Sequence, residues 1–102
     1  MIKQLTVDDL VKLIEQENPY VIDIRDLNSY SNGHIADSIR IDNDNFQSFV
    51  ENADKSRPIV VCCYHGHSSQ QVTALVQSLG FVGYSLIGGM SKWSNSQPVI
   101  KD

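Results

Sequence analysis

The stretch IVVCCYHGHSSQQVTALVQSLG, Ile59 to Gly80, sets an apolar run against a helical pattern across a short polar loop. Pro58 to Cys63 reads as a buried strand. From about Ser69, Val72, Leu75, Val76 and Leu79 recur at i, i+3, i+4, i+7, and Gly80 stands where a left-handed residue closes a helix. A strand, a turn and a helix in this order form the repeating unit of a parallel sheet. The turn holds Cys63 beside Cys62, so four readings stand open: disulfide, metal site, catalytic nucleophile and packing.

Working outward, the same alternation continues. Thr6 with Asp9 resembles a capping box, and Val7, Leu10, Val11 and Ile14 then recur at helical spacing until Asn18-Pro19. Tyr20 to Ile24 reads as a strand ending in Arg25-Asp26, with Asp26 as cap of a short helical turn stopped by Gly33. Ser38 to Ile41 alternates like a strand, and Asp42 or Asn43 can cap a helix carrying Phe46, Phe49 and Val50. Tyr84 to Ile87 is the last strand, and Gly88-Gly89 turns into a closing helix with Met90 and Trp93. Ser94 to Pro98 reads as an irregular tail. Strands spaced by helices, with apolar runs, predict the α/β class: one domain over 1–102 with a mostly parallel sheet covered on both faces. Ligands in such sheets collect beyond the carboxyl ends of the strands, which is the Cys63 side.

Composition narrows the function. The chain has 102 residues, 41% hydrophobic and 20% charged, and a net charge of −4. That balance, without a Lys/Arg cluster, argues against nucleic acid and anionic membrane as partners. The N-terminus lacks the apolar run of a secretory signal, so the expectation is a cytoplasmic protein without a membrane span. Neighbouring cysteines would close almost no loop as a disulfide. Retained thiols in a reducing compartment are more often reactive or buried.

A free thiol titrates at about pH 8.5, so a catalytic cysteine needs a group that favours the thiolate. A helix N-terminus and a loop of successive N–H groups offer that, and Gly66 frees the loop's backbone. His65 and His67 can add charge, and Ser68 and Ser69 can add donors. Against this stands packing, the commonest use of a cysteine in a strand. Cys62 points to the other face from Cys63, and for Cys62 the packing reading wins.

Cys63-Tyr64-His65-Gly66-His67-Ser68 after the strand resembles the active-site loop of single-domain rhodaneses. Val21-Ile22-Asp23-Ile24-Arg25, Gly33-His34-Ile35 and Gly88-Gly89-Met90-Ser91-Lys92-Trp93 match the family's other short motifs in order and spacing. The resemblance implies a rhodanese-like fold with five parallel strands and transfer of a sulfane sulfur from thiosulfate to cyanide or a thiol acceptor. It implies Cys63 as the nucleophile that carries the sulfur as a persulfide, with Tyr64, His65, Gly66, His67 and Ser68 around the substrate. No cofactor or metal is implied, and thioredoxin-like dithiols are candidate acceptors. Many members carry Arg where this chain has Tyr64 or Ser68, so less fixed positive charge is expected in the loop.

Three other functions compete. A cysteine phosphatase loop is one residue longer and ends in an Arg that grips phosphate; Ser69 stands at that position. A rhodanese-like module that only binds a protein partner often lacks the cysteine. Zinc held by Cys62, Cys63, His65 and His67 would need adjacent strand cysteines that diverge. Asp23 and Arg25, two apart on one face, read as a structural ion pair or loop tether ahead of substrate binding. His34 reads as scaffolding, and Met90 and Trp93 as packing.

Overall fold

The computed structural model describes residues 3–101. A short strand β1 (Lys3–Leu5) leads to Thr6, whose Oγ1 accepts the Asp9 amide at 3.1 Å while Asp9 Oδ2 accepts the Thr6 amide at 3.4 Å. Asp thus closes the capping box that Glu or Gln usually completes, and α1 (Val7–Glu17) begins there. Then follow β2 (Tyr20–Asp23), α2 (Leu27–Ser31), β3 (Ile39–Arg40), α3 (Phe46–Asn52), β4 (Ile59–Cys62), α4 (Ser68–Ser78), β5 (Gly83–Leu86) and α5 (Gly89–Ser96). The five strands pair in parallel in the order β1-β5-β4-β2-β3. β4 is therefore central, and the loop that leaves its carboxyl end opens where the sheet directs ligands.

Alternation along β4 divides the core. Val60 and Cys62 face Val7 and Leu10 of α1 and Met90 and Trp93 of α5. Ile59 and Val61 face the other layer, with Val72 and Val76 of α4 and Phe46, Phe49 and Val50 of α3. All four β4 side chains are fully buried, which explains their unbroken apolar run. Cys62 is packing, as expected.

Two elements differ from the sequence reading. β1 has three residues, two of them exposed and polar, so it carries no apolar signature; its pairing of Gln4 with Ser85 makes it a strand. Ser94, Asn95 and Ser96 are the last residues of α5 and not an irregular tail. Their weak helix propensity is overridden by burial of Met90 and Trp93 one turn earlier, and Ser94 Oγ donates back to the Met90 carbonyl at 2.9 Å. Asp42 also acts a little earlier than expected. Its Oδ1 accepts the amides of Asp44 and Asn45, which shapes the turn before α3.

The Asp23–Arg25 pair is a cross-brace. Arg25 Nε and Nη2 donate to both Asp23 oxygens at 2.7 to 3.1 Å, and Nη2 also donates to the Gly33 carbonyl at 2.7 Å. The end of β2 is thereby tied to the glycine turn. Next to that turn His34 stacks on Tyr30 with ring centroids 3.9 Å apart, and its backbone bridges to Ile100. Burial opposes the Arg25 charge, but the hydrogen bonds and charge of Asp23 prevail and its pKa is raised. With both side chains nearly excluded from solvent, Arg25→Met leaves the Asp23 carboxylate buried and unpaired. Urea unfolding should show a loss of about 3 kcal/mol; a loss below about 1 kcal/mol would mean an ordinary surface pair.

Candidate active site

β4 ends at Cys62, and the next residue starts a loop that turns back over its own sulfur. Cys63 Sγ accepts the Gly66 amide at 3.1 Å and the Ser69 amide at 3.3 Å. The side chain is 5% exposed. Ser69 lies in the first turn of α4, where backbone N–H groups have no partner within the helix. That turn carries no acidic residue, so the partial positive charge of the helix end falls on the sulfur unopposed from its own element. Amides of this kind favour a thiolate over a thiol, since they hydrogen-bond the charged form.

The loop is shaped by glycines on two elements. Gly66 takes φ +90°, and a Cβ there would lie 2.9 Å from the Gly88 amide nitrogen and 3.0 Å from the Leu86 carbonyl. A side chain cannot fit. Gly89 takes φ +58°, and a Cβ there would run into the carbonyls of Cys63 and Tyr64. Those two carbonyls accept the amides of Met90 at 2.8 Å and Ser91 at 2.9 Å, which are the free donors at the start of α5. Because a trans peptide points its N–H opposite its C=O, holding these carbonyls on α5 turns the following amides away from it. α5 thus holds the loop from behind while α4 meets the sulfur in front.

Of the residues expected at the site, Gly66 reaches the sulfur directly. Tyr64, His65, His67 and Ser68 are exposed around the loop. The Tyr64 and His65 rings lie 4.6 Å apart, and the His67 carbonyl accepts the Gln70 amide in the first turn of α4. Two contributions take a form the sequence reading did not give. Ser69, expected to offer its hydroxyl, supplies instead the second amide to the sulfur; the register of the first helical turn was the signal. Gly88-Gly89, read as a turn, acts as the seat of the loop; two adjacent glycines after a strand marked it. Cys62, next door, is fully buried, and burial followed by the nearby Asp23 carboxylate pushes its thiol pKa up. Of the two cysteines, only Cys63 has backbone amides on its sulfur.

A cleft of about 310 Å³ opens beside the loop, with Arg25, Tyr64, Met90 and Ser91 among its walls. Arg25 reaches it as a braced residue, its Nε and Nη2 already committed to Asp23 and Gly33.

The Rhodanese-like domain family model matches residues 6–96. The thiosulfate sulfurtransferase GlpE of Shewanella oneidensis is 45% identical over 92 residues, covering 89% of this chain and 91% of that protein. The protein of the same name from Stutzerimonas stutzeri is 44% identical over 79 residues, covering 76% and 72%. Among solved structures, a rhodanese-like domain from Anabaena superposes with a TM-score of 0.84 at 25% identity, over all of this chain and 81% of that one. A rhodanese-related protein of Thermoplasma volcanium, 24% identical, shares the fold with a TM-score of 0.85 over 98% of this chain and 99% of that one.

The two roles of glycine can be separated by substitution. Gly80→Ala meets only the flexible end of Lys55 and should cost about 1 kcal/mol for its positive φ. Gly89→Ala adds a collision with the loop carbonyls and should cost at least about 2 kcal/mol more in urea unfolding. Equal costs would show that the loop does not rest on α5.

Proposed function

The chain belongs to the rhodanese-like domain family and is a thiosulfate sulfurtransferase, and on that premise we propose that Cys63 is the residue that carries the sulfur. The observation that supports this is the pair of amides, Gly66 and Ser69, on Cys63 Sγ.

The Cys63 thiolate attacks the outer sulfur of thiosulfate. A new sulfur–sulfur bond forms as the one within thiosulfate breaks, and sulfite leaves with the electron pair. Cys63 then bears a persulfide whose negative charge sits on the terminal sulfur. That charge is diffuse, so several weak N–H donors suit it better than one fixed cation. Cyanide, or a thiolate, attacks the terminal sulfur, leaves as thiocyanate or as a new persulfide, and returns Cys63 as thiolate. No cofactor enters the cycle, and the bound sulfur is the only intermediate.

Tyr64, His65, Gly66, His67 and Ser68 line the route of substrate to Cys63 in this reading. Gly66 acts through its amide, and the exposed His65 and His67 offer ring nitrogens to an incoming anion. Thioredoxin-like dithiols are the proposed cellular acceptors, since they offer a low-pKa thiolate and a second thiol to resolve the product. Two unpaired thiols on a chain whose described residues hold no helix long and apolar enough to cross a membrane support a cytoplasmic setting. We take residues 1–102 as one rhodanese domain.

A phosphatase is disfavoured at the residue where its loop closes. Ser69 is fully buried there and turned toward Ser85, so no guanidinium faces the loop at that position.

Cys63→Ala should lower thiosulfate:cyanide activity by at least about a thousandfold, and parallel double-reciprocal plots should report the two half-reactions. Peptide mapping after thiosulfate should find one extra sulfur on Cys63 and none on Cys62. Activity retained in Cys63→Ala would exclude this mechanism.

A further inference from the structure

Behind the loop lies a buried polar contact that the sulfur cycle does not use. Ser69 Oγ and Ser85 Oγ are 2.6 Å apart, and both residues are fully buried between α4 and the sheet. Ser85 belongs to β5, level with Val61 of β4. Placing hydroxyls there is costly unless each is satisfied, whereas alanine at both positions would fill the same helix-to-sheet contact with nothing to satisfy. What the hydroxyls add is direction. A hydrogen bond fixes both distance and angle; apolar contact between α4 and β5 fixes neither to a few tenths of an ångström.

Ser69 is the residue whose direction matters. Its amide donates to Cys63 Sγ at 3.3 Å, its carbonyl accepts Thr73 Oγ1 at 2.7 Å, and its side chain meets Ser85. It is held on three sides. Gly66, the other donor, is located differently, by close backbone packing against Leu86 and Gly88. The Ser69 amide already stands 0.2 Å farther from the sulfur than that of Gly66, at 3.3 against 3.1 Å, so a small rotation of the first turn of α4 weakens it first.

We propose that Ser85 is a positioning residue for sulfur transfer: through its hydroxyl it locks Ser69, and so aims the α4 amide at Cys63 Sγ. Ser85 touches neither the sulfur nor substrate in this role. The inference rests on Cys63 being the sulfur carrier.

The test compares wild type, Ser85→Ala, Ser69→Ala and the double variant. Three readouts are needed: thiolate absorbance against pH, thiosulfate:cyanide kinetics, and urea unfolding to correct for folded fraction. Each single variant should raise the Cys63 ionisation midpoint by about half a pH unit, the scale of one weakened neutral donor. Each should also lower kcat/KM by about fivefold. The double variant should be no worse than either single, because all three lose the same bond. Ser69→Ala carries the test by itself if Ser85→Ala does not fold. Variants that unfold more easily but keep the wild-type midpoint and kinetics would overturn the proposal and leave Ser85 as packing. Wild-type protein that takes up no sulfur on Cys63 would instead overturn the sulfur-carrier reading, so the two failures are distinguishable.

Discussion

Two backbone amides on one sulfur atom, those of Gly66 and Ser69, are the constraint to which the rest of the site answers. An N–H group cannot be placed by choosing a side chain; it can be placed only by fixing the backbone that carries it. Every other feature near Cys63 serves that end. Gly66 adopts a positive φ that side chains resist, Gly89 admits the Cys63 and Tyr64 carbonyls to the start of α5, and α4 begins where its second residue meets the sulfur. The chemistry that follows is suited to a polarisable, thinly charged sulfur and not to a phosphoryl group gripped by an arginine fork.

The sheet sets the stage on which this works. In the order β1-β5-β4-β2-β3, the strand before Cys63 is central, so its two neighbours bring other loops to the same edge. β5 delivers Gly88 and Gly89 from one side. β2 delivers Asp23 and Arg25 from the other, with the Arg25 fork spent on Asp23 and Gly33. A cation used in this way braces the rim of the cleft and leaves the loop amides as the fixed donors at the sulfur.

Much of this was legible in the residues themselves. Strand and helix were announced by the apolar run of β4 and the stripe of α4, because burial on both faces demands the first and burial on one face the second. Cys63 could be separated from Cys62 by strand alternation alone. β1 was hidden because edge pairing with β5 asks nothing of Lys3 or Gln4, and the end of α5 because Trp93 decides it and Ser94-Asn95-Ser96 do not. At the site, residue types pointed to the loop, yet the second sulfur donor is a main-chain amide on Ser69. Main-chain donors leave no mark in side-chain chemistry, so only the register of α4 could reveal it. The Ser69–Ser85 contact joins residues 16 apart and becomes visible only when helix and strand are laid together.

Sulfur transfer at this site depends on where the charge of the loaded sulfur is held. Nitrogen-15 NMR of the protein before and after thiosulfate addresses this residue by residue, since an amide proton's shift changes when the charge on its acceptor changes. Sulfur loading passes the negative charge from Cys63 Sγ to the terminal sulfur, so the Gly66 and Ser69 amide protons should shift together, with Tyr64 and His65 changing less. Unmoved Gly66 and Ser69 signals in protein that carries the extra sulfur, with shifts confined to the His65, His67 or Arg25 side chains, would place the charge elsewhere and contradict this reading.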